Sequence, residues 1–196
     1  MIPLNSICVF CGSSTGENPV YKQKAIALGK TLAENQIELI YGGGNIGLMG
    51  IIANTVLKYG GKVTGVLPQF LNKKEVGHVE LSTLILVNSM HDRKQKMNDL
   101  ADGFIAMPGG LGTLEEVAEV LTWVQLGLIA KPVGFYNIKG YFKNLLDQLD
   151  YMVGEGFMKQ KDRQMINQNE EAEELILQMR NYKPILVNKW LKEDQT

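Results

Sequence analysis

Short apolar runs alternate with amphipathic stretches along most of the chain. Ser6 to Phe10 reads as a first strand, followed by the turn Gly12-Ser13-Ser14-Thr15-Gly16. Asn18-Pro19 has the form of an N-cap with proline at the first helical position, opening a helix to about Glu34. Ile37 to Tyr41 is a second strand ending in Gly42-Gly43-Gly44, and Gly47 to Tyr59 is a helix that Gly60-Gly61 stops. Lys62 to Leu67 is a third strand, and the polar segment from Pro68 to Thr83 reads as an irregular loop over a site. Leu84 to Val87 (strand), Met90 to Leu100 (helix) and Gly103 to Met107 (strand) follow, then a glycine motif and a helix to about Leu128 that Lys131-Pro132 breaks. The remainder reads as a strand at Val133 to Tyr136, a helix over Tyr141 to Val153, a short strand at Met165-Ile166 and a closing helix over Glu170 to Arg180.

Strands separated by helices with short loops imply an α/β fold, a doubly wound, mostly parallel sheet with helices on both faces. Residues 1–183 form a single domain in this reading, with a polar tail over 184–196. Ligands in such folds sit beyond the carboxyl ends of the strands, where strand order switches. Three loops rich in glycine or serine fall at those ends, residues 12–16, 42–47 and 109–113.

Pro108-Gly109-Gly110-Leu111-Gly112-Thr113-Leu114-Glu115-Glu116 carries the strongest chemical signal. Glycines between a strand and a helix leave backbone N–H groups facing open space, with the positive end of the helix dipole behind them, so a phosphate is the natural occupant. Two carboxylates follow at once, where bare phosphate binding gains nothing from them. The same residues also read as a capping box, with Thr113 as N-cap and Glu116 reaching back to its N–H. The stripe Val117, Val120, Leu121, Val124, Leu128 faces a core, which leaves Glu115 and Glu119 free to face solvent.

Met90-His91-Asp92-Arg93-Lys94 opens the preceding helix. Cations there oppose the dipole, which an anion held in front of the helix explains; surface pairs with Asp92 and Asp99 are the alternative. Gly42 to Gly47 matches G-x-G-x-x-G formally. It follows the second strand rather than the first, and Lys62 to Gln69 holds no acid for a ribose, so dinucleotide binding is disfavoured against a tight packing turn or a phosphate contact.

Bulk properties narrow the classes. A net charge of −1 provides no field for nucleic acid or an anionic membrane. No apolar run spans a membrane, and Met1-Ile2-Pro3-Leu4-Asn5 lacks the form of a signal peptide, so a cytoplasmic location is expected. Cys8 and Cys11, the only cysteines, lie in and after a strand and read as buried thiols. With His78 and His91 isolated, no metal is expected, and no cofactor.

The motifs Pro108-Gly109-Gly110-x-Gly112-Thr113-x-x-Glu116 and Met90-His91-x-Arg93-Lys94 resemble those of the LONELY GUY (LOG) family of cytokinin riboside 5′-monophosphate phosphoribohydrolases, formerly often labelled lysine decarboxylases. The likeness includes Cys8-Val9-Phe10-Cys11-Gly12-Ser13-Ser14, Tyr41-Gly42-Gly43-Gly44-x-Ile46-Gly47-Leu48-Met49-Gly50, Thr122-Trp123-x-Gln125-Leu126-Gly127, Lys131-Pro132-Val133-Gly134 and Glu155-Gly156-Phe157, covering residues from about 5 to 180. The resemblance implies a homodimeric, Rossmann-like hydrolase that splits the N-glycosidic bond of a nucleoside 5′-monophosphate into free base and ribose 5-phosphate. It assigns Arg93 and Glu116 as the catalytic pair and links Glu75, Lys94, Gly110 to Glu115 and Thr122 with substrate binding. With the residues at the strand ends, the candidate substrate and phosphate contacts are Gly12, Ser13, Gly43, Gly44, Glu75, Met90, Lys94, Gly109, Gly110, Leu111, Gly112, Thr113, Leu114, Glu115 and Thr122. Leu111 departs from the family, which often has tyrosine there, and Lys73 to Ser89 diverges in detail. A carrier that binds a nucleotide or nucleotide-bearing cofactor without cleaving it is the competing class.

Overall fold

The computed structural model describes residues 2–72 and 81–184. Glu75, His78 and all of the 184–196 tail after Pro184 lie outside the described residues. The chain runs β1 (Ser6–Phe10), α1 (Pro19–Glu34), β2 (Glu38–Tyr41), α2 (Gly47–Lys58), β3 (Val63–Pro68), α3 (Gln69–Asn72), β4 (Thr83–Val87), α4 (Met90–Leu100), β5 (Gly103–Ala106) and α5 (Leu111–Leu126). It continues through β6 (Val133–Tyr136), a 3₁₀ turn at Ile138–Gly140, α6 (Lys143–Gly154), α7 (Gln160–Gln164), β7 (Ile166–Asn169) and α8 (Ala172–Arg180).

The seven strands form one sheet in the order β4-β3-β2-β1-β5-β6-β7, and all six pairings are parallel. β1 is buried along its whole length, and its side chains alternate between two cores. Ile7 and Val9 join Leu28 and Leu32 of α1, Ile52 and Val56 of α2 and Leu175 and Met179 of α8. Cys8 and Phe10 join Met97 of α4, Val117, Val120 and Val124 of α5 and Leu146 of α6. Helices therefore cover both faces, as a parallel sheet requires. The chain first builds outward from β1 through β2 and β3 to β4, then returns to the other side of β1 with β5. The switch in strand order thus lies between β1 and β5, with Ile7 level with Gly103 and Phe10 with Ala106.

Several boundaries depart from the sequence reading. Pro68 to Thr83 is not wholly irregular, since α3 lies within it. Helix α5 starts at Leu111 with Gly110 as its cap residue, so Thr113 sits inside the first turn and makes no side-chain cap. Its other end is set by Gly127 in the left-handed conformation, whose N–H reaches back to Trp123 and Val124, four residues before Lys131-Pro132. The helix expected from Tyr141 begins at Lys143, because Asn137 Oδ1 accepts the Phe142 N–H (2.8 Å) and closes a separate turn first. The short α7 had no periodic signal of its own length, and α8 opens at Ala172 after Asn169 Oδ1 caps the Glu171 N–H (2.9 Å). Among the described residues no helix is long and apolar enough to cross a membrane.

Candidate active site

The loops after β1, β2 and β5 meet at the strand switch. The Gly12 N–H donates to the Pro108 carbonyl at 3.1 Å, and the Leu48 N–H donates to the Gly12 carbonyl at 3.1 Å. They enclose a cleft of about 340 Å³ lined by Gly12, Ser13, Gly42, Arg93, the Gly110–Thr113 segment and Glu116, with Phe10, Cys11 and Met49 as its apolar wall.

Arg93 enters from the first turns of α4, which Ser89 opens by accepting the Asp92 N–H through its hydroxyl at 3.0 Å. Its Nη1 donates to Glu116 Oε1 at 2.8 Å, and its Nε donates to the Val66 carbonyl at 3.3 Å. The two side chains are only 12% and 11% exposed, so this is a buried, two-point-held ion pair rather than a surface one. Burial pushes the Glu116 carboxyl above the usual glutamate range, and the Arg93 guanidinium pulls it part of the way back. A carboxyl under those opposing influences is poorly hydrated yet paired with a fixed cation, a setting typical of groups that act on positive charge or on a water molecule. The capping-box role proposed for Glu116 is therefore not the one it takes.

Gly42 makes this arrangement possible. A Cβ at that position would overlap the Arg93 guanidinium, so any side chain would expel the group that holds Glu116. Lys94, the next residue of α4, donates to Glu115 Oε1 at 2.5 Å and to Glu119 Oε1 at 3.1 Å. The first-turn cations of α4 thus pair with acids of α5, and neither Asp92 nor Asp99 is their partner. Two cations against three carboxylates leave this cluster net negative. α5 begins without a side-chain cap or an acid in its first turn, and its first residues, Leu111 to Thr113, line the cleft, so a helix start able to receive an anion borders it.

The cleft brings together Gly12, Ser13, Arg93, Gly110, Leu111, Gly112, Thr113 and Glu116 of the residues singled out from sequence. Gly109 borders the adjoining hollow under the same loop. Gly43 faces Leu67 and Leu84, and Gly44 is buried in its turn. Met90 lies exposed at the start of α4, Leu114 is half-buried and packs against the core, and Glu115 is exposed on α5. Thr122 lies elsewhere, on a separate apolar hollow with Leu121, Met152 and Phe157, and donates to the Ala118 carbonyl at 2.8 Å. Gly42, Met49 and Glu119 are named from sequence but not as site residues, and the Val66 carbonyl is not named at all. Glu119 had a legible signal, four residues from Glu115 on one helix face; the Val66 carbonyl had none.

Cys8 and Cys11 are free, buried thiols, and burial pushes both well above the ordinary range. Cys11 reaches the cleft wall, but as a neutral thiol and not a nucleophile.

A family model described as "Possible lysine decarboxylase" matches residues 49–179. Cytokinin riboside 5′-monophosphate phosphoribohydrolase LOG7 of Arabidopsis thaliana is 47% identical over 91% of this chain and 82% of its own length. The enzyme of that name, LOG, from Oryza sativa subsp. japonica is 45% identical over 91% of this chain and 74% of its own. Among solved structures, the X-ray structure of TM1055 superposes with a TM-score of 0.70 at 21% identity, covering 90% of this chain and 99% of that one. The molybdenum cofactor binding protein from Rippkaea orientalis does so with a TM-score of 0.67 at 23% identity, covering 92% and 98%. These last two likenesses speak for the fold alone. The chain belongs to the LOG phosphoribohydrolase family.

Proposed function

We propose that this protein hydrolyses the N-glycosidic bond of adenosine 5′-monophosphates, N6-modified ones of the cytokinin type included, releasing the free base and ribose 5-phosphate. The observation that carries the reading is the buried Arg93–Glu116 pair set one helical turn behind an open anion cradle. With the 5′-phosphate on the N–H groups at the start of α5, the ribose extends toward Glu116. Cleavage leaves positive charge on the anomeric carbon and ring oxygen, which the Glu116 carboxylate stabilises in a site shielded from water. The same carboxylate orients the water that attacks that carbon and accepts its proton. Arg93 fixes the carboxylate in place and holds it ionised. Lys94 and Glu115 act in substrate binding at the margin of the site, exposed Leu111 and Met90 supply apolar surface for a substituted base, and Thr122, on its separate hollow, takes no part within this chain's cleft.

Incubation with AMP and with N6-isopentenyl-AMP, followed by chromatography, tests the reading. Free base in stoichiometric amount with ribose 5-phosphate is expected. Tight nucleotide binding with no base released would instead favour a carrier. A decarboxylase would need a lysine free to hold an aldehyde cofactor at the site, whereas Lys94, beside Arg93 on α4, is engaged by both Glu115 and Glu119.

The protein works as a cytoplasmic homodimer in this reading, a single domain per chain over residues 1–183. Support for the location comes from its two free cysteines, the usual state in a reducing compartment. Support for the dimer comes from exposed Leu126, Leu128, Tyr151, Met152 and Phe157 near the outer end of α5, an apolar concentration uncommon on a monomer. Light scattering on the purified protein is expected to return twice the chain mass, and Phe157→Asp to shift it toward the monomer. A wild-type monomer at micromolar concentration removes the dimer.

A further inference from the structure

Pro108-Gly109-Gly110 has no side chain beyond the proline ring with which to hold its shape, and a peptide between two glycines turns over at little cost. Its orientation matters. If the Gly109–Gly110 peptide turned, a carbonyl oxygen instead of an N–H would face the anion. We propose that Tyr141 is a positioning residue that prevents this: its hydroxyl holds the Gly109 carbonyl and thereby aims the Gly110 N–H into the cleft, at the phosphate. The proposal rests on the phosphoribohydrolase reading given above.

The Tyr141 hydroxyl donates to the Gly109 carbonyl at 2.6 Å, across 32 residues of chain. A trans peptide is planar, so its C=O and the following N–H point in opposite directions. Tyr141 and the Gly109 carbonyl lie on a hollow of about 290 Å³ that also takes in Ser14, Tyr21 and Pro108. Arg93, Glu116 and Thr113 line the cleft instead, and Gly110 borders both spaces. With the carbonyl held toward the hollow, the Gly110 N–H is left facing the cleft, beside the leading N–H groups of α5.

The tyrosine, about half exposed, is positioned by two other rings. Its ring stands edge-on to Tyr21 of α1 at 5.8 Å and to Phe142 at 5.1 Å, and the 3₁₀ turn at Ile138–Gly140 sets its backbone. The neighbouring peptide is fixed separately by the Gly12 N–H on the Pro108 carbonyl. The loop is thus tied on one side by β1's turn and on the other by Tyr141, and the site is preorganised before substrate arrives.

Tyr141→Phe keeps the ring and removes only the hydroxyl. Calorimetry with inorganic phosphate and with AMP is expected to give affinities weaker by about tenfold, the scale of one well-placed hydrogen bond. KM for AMP rises by the same factor while kcat stays within about twofold, since the chemistry at Glu116 is untouched. The melting temperature stays within about 2 °C of wild type. Tyr21→Phe, which alters the same hollow without touching the Gly109 carbonyl, leaves phosphate affinity unchanged. Unaltered phosphate and AMP affinity in Tyr141→Phe, a loss confined to kcat, or no phosphate binding by the wild-type protein overturns the proposal. Wild-type protein that binds AMP but releases no base overturns the hydrolase reading alone, because the binding comparison still decides the role of Tyr141.

Discussion

Replacing Glu116 with glutamine is expected to lower turnover of AMP about a thousandfold, within the range lost when a general base is removed, while AMP still binds with near-native affinity. Glutamine has the same shape, and its oxygen can still accept the Arg93 Nη1 hydrogen bond that Glu116 Oε1 accepts at 2.8 Å. Only the negative charge and the basicity disappear, and these are what the oxocarbenium-like transition state requires. The neighbouring carboxylates cannot substitute, because Glu115 and Glu119 are both engaged by Lys94. The pH profile gives an independent reading. Activity needs the ionised form, so the rate falls as pH falls through the Glu116 pKa. Burial raises that pKa, which puts the acid limb above the ordinary glutamate range. Glu116→Gln has no such limb. A tenfold drop or less with the acid limb intact would show that another carboxylate does the chemistry.

Much of this was readable along the chain because it is local. Asn18-Pro19 caps and opens α1 as expected, with Asn18 Oδ1 accepting the Val20 N–H at 3.0 Å, and the apolar runs of β1 and β6 coincide with their strands. The convergence of three glycine-bearing loops followed from strand order, since ligand loops meet where the order switches. The start of α5 was not readable. Thr113-Leu114-Glu115-Glu116 fits a capping box and an active site equally well, and the choice depends on Arg93, which reaches Glu116 from 23 residues earlier. The cations of α4 were misleading for the same reason. Their placement against the dipole pointed to an external anion, whereas the chain supplies the counter-charges from α5. Gly42 shows the other side of this. Its requirement comes from a guanidinium arriving from another helix, and the G-x-G-x-x-G pattern around it carries no trace of that partner.

Removing the other half of the pair has the second largest expected effect, and it reaches stability as well as rate. Arg93→Ala leaves Glu116 buried with no counter-charge, which on the scale of broken buried ion pairs costs about 3–5 kcal/mol at neutral pH. Turnover falls by about a hundredfold or more, because the carboxylate loses its fixed orientation and much of its ionisation. The sign of the pH effect follows from the direction of the shift. Arg93 lowers the Glu116 pKa against the effect of burial, so its loss moves the acid limb of the residual activity to higher pH. Stability moves the opposite way. A carboxyl whose folded pKa is raised contributes stability that is fully present below its unfolded pKa and is lost as pH rises through the folded one. The deficit of Arg93→Ala relative to wild type is therefore largest near neutrality and shrinks in acid, where protonation neutralises the stranded group. Thermal unfolding of both proteins at several pH values measures this. Arg93→Lys, which keeps the charge but cannot donate to Glu116 and the Val66 carbonyl with a planar fork, should show a smaller stability loss and a smaller shift of the limb. An acid limb that stays in place in both variants, with a stability deficit independent of pH, would separate Arg93 from the ionisation of Glu116 and leave it a packing role only.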